Sequence, residues 1–180
     1  MRAALVCLLS LAALAGLAMP SDVAAANPAP GPAQEDAQLR AAFVYRFAQF
    51  TQWPPPPVSE FTYCVAGNLA MQEAMQALTL RAHGVANVRM RYLTEPQQLG
   101  GCQLLLLGFS ERADLQRWQA ALVNEPVLVV GESAEAFRSG AVIALVAEPN
   151  GLAFRINHTE AKRRGLVLSS QMLKLAREVK

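Results

Sequence analysis

Histidine and cysteine are scarce in this chain. Its 180 residues hold two histidines, His83 and His158, and three cysteines, Cys7, Cys64 and Cys102. The histidines lie far apart, and no carboxylate or cysteine cluster at metal-ligand spacing surrounds either, so no metal centre is expected. There is no C-x-x-C pair to act as attacking and resolving thiols. Neither G-x-G-x-x-G nor the Walker pattern occurs, which removes the common phosphate-cradling loops. The G-x-S-x-G nucleophile elbow is missing too. Charged residues make up only 17% of the chain, the net charge is +2, and the basic residues are spread out. Nucleic-acid binding therefore has no electrostatic footprint. No catalytic set and no cofactor are expected.

Long apolar runs are also rare, and the one present is at the start. Residues 3–17 form an apolar stretch behind a single early charge, Arg2, and Ala24-Ala25-Ala26 follows with small residues. This is the layout of a secretory signal, read over residues 1–26 with cleavage near Ala26. The run is shorter than the roughly 20 apolar residues that span a bilayer. Membrane insertion after cleavage is not expected, and Cys7 leaves with the signal. Residues 27–35 then read as a proline-rich linker, and residues 36–180 as one domain, large enough to bury a core.

Cys64 and Cys102 remain. Each opens an apolar run, Cys64-Val65-Ala66 and Cys102-Gln103-Leu104-Leu105, and the two would meet if those strands are neighbours. In an oxidising compartment such a pair is expected to form a disulfide, with two buried thiols as the alternative. Closing this loop contributes about 4 kcal/mol in the chain-entropy model.

The ordered chain is expected to begin with a helix capped by Asp36. Leu39, Phe43, Phe47 and Phe50 share one helical face, read as core packing. The helix must end at Trp53, because Pro54-Pro55-Pro56-Pro57 follows. Strands are expected over 61–66, 88–92, 104–107, 127–130, 141–147 and 152–157, the last two joined by a hairpin at Asn150-Gly151. Helices are expected over 69–80 with Asn68 as cap, from Ser110 to about Leu122, over 134–138 and 159–164, and from Ser169 through Val179; a helical turn is expected over 95–99. Alternating strands and helices imply an α/β domain: a single-domain sandwich with a mixed, mostly parallel sheet flanked by helices.

Few side chains invite a functional role. Trp53 stands at a helix end before a stiff proline segment, divided between core and binding surface. His158 follows Asn157 at a strand end, where α/β folds often place ligand contacts. Arg155, Arg163 and Arg164 are candidates for an anion recess, against a plain solvated face. Ser169 and Ser170 stand where a helix cap is needed, which favours capping over a nucleophile paired with His158. His83 precedes Gly84 and reads as a turn residue.

Taken in order, the motifs resemble a known family. They run Ala42-Phe43-Val44-Tyr45-x-Phe47-Ala48-x-Phe50-x-x-Trp53-Pro54, Cys64-Val65-x-Gly67, Cys102-x-Leu104-Leu105-Leu106, Gly140-Ala141-Val142-Ile143, Phe154-x-Ile156-Asn157 and Gly165-Leu166-x-Leu168-Ser169-Ser170-x-x-Leu173-x-Leu175-Ala176. The pattern, spread over residues 39–179, resembles the YfiR family of periplasmic proteins. That resemblance implies an exported repressor, often dimeric and without catalytic activity. Its partner would be the periplasmic region of an inner-membrane diguanylate cyclase, and its output cyclic di-GMP signalling and biofilm growth. It also implies that a Cys64–Cys102 bridge makes the repressor redox-sensitive. Trp53 and Phe50 would anchor a contact surface, with Arg155, Asn157 and His158 as polar contacts. The alternative is a periplasmic small-ligand-binding protein that signals to another partner.

Overall fold

The computed structural model describes residues 31–82, 87–122, 125–149 and 151–180. The expected signal at 1–26, residues 27–30, the turn expected at His83 and Asn150 of the expected hairpin lie outside the described residues. In chain order the elements are α1 (Pro32–Gln49), β1 (Thr51–Gln52), β2 (Phe61–Ala66), α2 (Leu69–Ala82), β3 (Val88–Leu93), a 3-10 turn (Pro96–Leu99), β4 (Leu104–Leu107), α3 (Arg112–Ala120), β5 (Leu128–Gly131), α4 (Ala134–Arg138), β6 (Ile143–Glu148), β7 (Gly151–Ile156), α5 (His158–Arg163), β8 (Val167–Leu168), α6 (Ser170–Leu175) and β9 (Glu178–Val179).

Seven strands form one sheet in the order β3-β2-β4-β5-β6-β7-β9. From β3 to β6 every pairing is parallel. The hairpin pair β6–β7 is antiparallel, and β9 joins β7 in parallel. A small antiparallel pair, β1 with β8, stands apart. The expected mixed, mostly parallel sheet flanked by helices is the fold observed.

Helices cover both faces, so the central strands are apolar on both sides. In β4 the leucines divide by alternation. Leu104 and Leu106 join Val44, Phe47, Tyr63, Val130, Phe154 and Met172 in the core beneath α1, α2 and α6. Leu105 and Leu107 join Cys64, Cys102, Val129, Leu115 and Trp118 in the core beneath α3 and α4. Cys64 and Cys102 are disulfide-bonded, with Cα atoms 5.9 Å apart. The bridge ties β2 to the loop entering β4, its parallel neighbour.

Four local expectations are corrected. Helix α1 opens at Pro32, ahead of Asp36, because proline is tolerated in the first turn, where its missing N–H has no partner to lose. The α3 N-cap is Glu111, not Ser110. The final helix stops at Leu175: Ala176 turns extended, the Arg177 N–H bonds to the Phe154 carbonyl, and residues 178–179 add a strand to β7. The helical spacing of Ala176 and Val179 loses to those sheet hydrogen bonds. The face of α1 that is buried runs through Ala37, Ala41, Val44, Phe47 and Ala48, so of the aromatic stripe only Phe47 is a core residue.

Candidate functional site

The sheet direction sorts the candidate residues. Helix α1 runs antiparallel to the central strands and delivers its last turn to their amino end. There the chain turns through Trp53, whose indole Nε1–H donates to the Gln103 carbonyl at 3.2 Å. The ring meets Phe61 edge-on at 4.9 Å. Gln103 in turn accepts the Thr62 N–H on its side-chain oxygen at 2.7 Å. Trp53 is thus half-buried and hydrogen-bonded, fastening the proline segment to the strand ends.

Asn157 and His158 sit at the same end of the sheet but just after β7, which lies three positions away from β4. The Asn157 side-chain oxygen accepts the Glu160 N–H and caps α5. His158 is the first residue of that helix, and its backbone N–H donates to the Lys180 carbonyl at 2.7 Å. Partial burial, assisted by Lys162, holds its imidazole below the usual range, which favours the neutral form. Arg155 lies on β7 with Nε 3.3 Å from Glu178 Oε2. Arg163 and Arg164 both converge on Glu160, at 2.6 and 2.7 Å. The three arginines therefore form no shared recess. Arg164 is buried, and it also donates to the carbonyls of Leu122 and Glu125 and to the Gln119 side chain. Ser169 caps α6 by accepting the Met172 N–H, which matches the capping expectation.

Phe50 belongs to a different place. With Leu39, Phe43, Phe154, Met172 and Leu175 it lines an apolar groove of about 370 Å³ between α1 and α6. Phe43 and Phe154 meet edge-on at 6.2 Å in its floor. The rim is exposed: Leu175 retains 69% of its surface and Leu39 46%. The spacing of the stripe predicts core packing, and Phe50 alone of its members is also expected at a contact surface; in the structure Leu39, Phe43 and Phe50 all line the groove. The second wall is set by α6, which is shorter than the helix expected from Ser169 through Val179.

At the opposite, carboxyl end lies a polar crevice that sequence reasoning missed. Asn68 follows β2, Gly108 follows β4 and Glu132 follows β5; Asp36 and Arg40 approach from the first turns of α1. The Asn68 amide donates to Glu132 Oε2 at 2.8 Å, and Asn68 Oδ1 accepts the Met71 N–H. Arg40 Nε binds Asp36 at 2.6 Å. Burial pushes the Glu132 carboxyl above its usual range, against opposing pulls from Asn68 and Arg40. The residues are too far apart in sequence for any spacing motif to reveal the cluster.

Comparison with known proteins adds the following. The sequence pattern of the YfiR/HmsC-like family matches residues 37–177. No curated protein matches. Among solved structures the fold is similar to a conserved domain protein from Vibrio cholerae O1 biovar El Tor, at 13% identity and a TM-score of 0.52 over 80% of this chain and 60% of that one. It is also similar to the ABC domain in complex with L-Trp from Streptococcus pneumonia, at 9% identity and a TM-score of 0.58 over 81% of this chain and 62% of that one. The chain spans about three fifths of the length of these solved chains, and at such identities the likeness is one of fold.

Proposed function

Because the chain belongs to the YfiR/HmsC-like family, we propose that it is a periplasmic, non-catalytic regulator. It binds the periplasmic sensor region of an inner-membrane diguanylate cyclase and holds the enzyme inactive, which lowers cyclic di-GMP and restrains biofilm growth. The observation that carries this reading is the family match across residues 37–177, almost the whole folded domain.

The groove between α1 and α6 is the contact surface in this reading. Its rim leaves large apolar side chains in water. Full burial of each such side chain contributes about 1.5–3 kcal/mol. Leu39, Phe50 and Leu175 are the anchors, since all three face the groove. Trp53, Arg155, Asn157 and His158 lie outside the groove, at the amino end of the sheet, and form a second part of the contact surface in this reading. The disulfide acts from below by fixing β2 against the β4 entry loop, which also carries the Trp53 acceptor. Oxidation state thereby reaches the end of α1. A homodimer is the other assembly that the family suggests, and sedimentation at several concentrations checks it.

The test is a pull-down of the purified protein with the sensor region of the cognate cyclase, together with a cyclase activity assay. Oxidised protein should bind and repress, and reduced protein should do so less. Leu175→Asp should weaken binding at least about tenfold, which corresponds to 1.4 kcal/mol. Absence of binding in both redox states sinks the proposal. Unchanged binding by Leu175→Asp removes the groove from it.

A further inference from the structure

We propose that the crevice at the carboxyl ends of β2, β4 and β5 binds a small organic ligand bearing a primary ammonium group. This site is independent of the cyclase reading and uses none of the residues assigned to it.

Topology singles the place out. The chain leaves β2 to one side for β3, then crosses to the other side for β4. In open α/β sheets ligands bind outside the carboxyl ends of the strands where the order reverses in this way. A cavity of about 330 Å³ lies there, with Asp36, Arg40, Asn68, Gly108 and Glu132 among its lining residues.

The cluster is built with little slack. A Cβ on Gly108 would fall 2.4 Å from the Asn68 Cβ and 3.0 Å from Glu132 Oε2. Glycine at 108 is therefore what lets Asn68 and Glu132 meet across the intervening strand. Asn68 is fixed at both ends of its amide, by Met71 N–H and by Glu132. Among the described residues only Oε2 of Glu132 takes a hydrogen bond; Oε1 takes none.

Charge selects the ligand class. Two carboxylates, Asp36 and Glu132, face one guanidinium, Arg40, so the cavity carries one net negative charge when all are ionised. Arg40 is engaged by Asp36, and among the described residues Glu132 makes no ion pair of its own. A desolvated carboxylate is satisfied best by a charge-assisted donor, and an ammonium brings three donors on a compact head. The walls supplied by Ala33, Ala37, Ala70 and Met71 suit a short alkyl tail. An anion fits less well. The first turn of α2 faces the cavity, but its Met71 N–H is already taken by Asn68 and Glu132 stands opposite.

Because burial raises Glu132, a proton competes with the ammonium for the carboxylate. Asp36 and Arg40 are the other ionisable groups lining the cavity. Ligand affinity should therefore fall as the pH drops into the range where Glu132 gains its proton.

The experiment is an NMR titration of the purified protein with ethylammonium and 1,4-diaminobutane, with inorganic phosphate as the opposite-charge probe. Saturable shifts are expected at the Gly108 amide and the Asn68 side-chain NH2. Glu132→Gln should weaken amine binding at least about tenfold. Arg40→Gln removes the competing cation and should tighten it. Should Glu132→Gln fail to fold, the sign of the Arg40→Gln effect decides alone. Shifts with phosphate but not with amine, equal amine affinity in Glu132→Gln, weaker binding in Arg40→Gln, or no saturable shift at tens of millimolar amine would each overturn the proposal.

Discussion

At the amino end of the central strands, elements distant in sequence are tied together. Trp53 reaches Gln103, Gln103 reaches Thr62, Arg164 reaches the Leu122 carbonyl just past α3, and a disulfide joins β2 to the β4 entry loop. At the carboxyl end the same strands lead into a cavity lined by Asn68, Gly108 and Glu132, whose carboxylate is partly desolvated. Polar side chains at the first end are consumed in holding the fold. Those at the second are held in place but retain unused atoms. An α/β sheet separates stability from chemistry in this way, because its carboxyl end faces the start of the crossover helices and the loops that vary. Residues such as Trp53 and Asn157, chosen from the sequence as contacts, prove to be fasteners as well.

The sharpest way to break this contrast is to cut the covalent tie. Replacing both Cys64 and Cys102 by alanine should lower stability by about 4 kcal/mol, from the loop closed across a separation of 38 residues. The urea midpoint under oxidising conditions measures it. A loss below about 1 kcal/mol would mean that the amino end does not depend on the bridge. Next comes Arg164→Met, which strands the carbonyls of Leu122 and Glu125 and removes one partner of Glu160. Breaking a buried pair of this kind costs about 3–5 kcal/mol. The low end is expected, because Arg163 still holds Glu160 with two hydrogen bonds. Trp53→Phe should cost about 1 kcal/mol, the worth of one hydrogen bond to the Gln103 carbonyl, with the edge contact to Phe61 kept. If Trp53→Phe matches Arg164→Met in cost, the proline segment carries more of the fold than its contacts suggest.

The two ends also differ in how far the sequence discloses them. The leucine run of β4 announces a strand buried on both faces, and Asn68 and Ser169 announce helix caps; all three are local signals with local causes. The amino end could be sketched because its cysteines, prolines and tryptophan are rare residues that stand out. The misreadings have tertiary causes. Residues 176–179 keep a helical period, yet Arg177 finds the Phe154 carbonyl and the chain pairs with β7. The stripe Leu39–Phe43–Phe47–Phe50 has the spacing of a core face, but alanines and Val44 occupy the face that meets the sheet and push the aromatics toward α6. The carboxyl-end crevice was illegible for a different reason. Asn68 reads as a helix cap, which is correct as far as it goes, and nothing in the local pattern ties it to Gly108 or Glu132. Only the crossover from β3 to β4 brings them together.

The smallest expected effect is the one that tests whether the carboxyl end is different in kind. Burial is the main influence on Glu132 and lifts its carboxyl; Asn68 and Arg40 lower it, and Asp36 raises it. The folded state therefore binds this proton more tightly than the unfolded chain does. Its contribution to stability is fully present below the unfolded carboxylate range and is lost as the pH rises through the raised folded value. Glu132→Gln keeps an uncharged acceptor within reach of Asn68 and has nothing to titrate. The variant should thus gain stability relative to the parent as the pH rises through that window, and the difference should then level off. Urea midpoints from about pH 4 to about pH 8 cover the range. Trp53→Phe serves as the control, since its loss involves no ionisable group and should stay constant with pH. A Glu132→Gln difference that is equally flat would mean that the carboxylate is as well satisfied as the ties at the amino end, and the contrast between the two ends would fail.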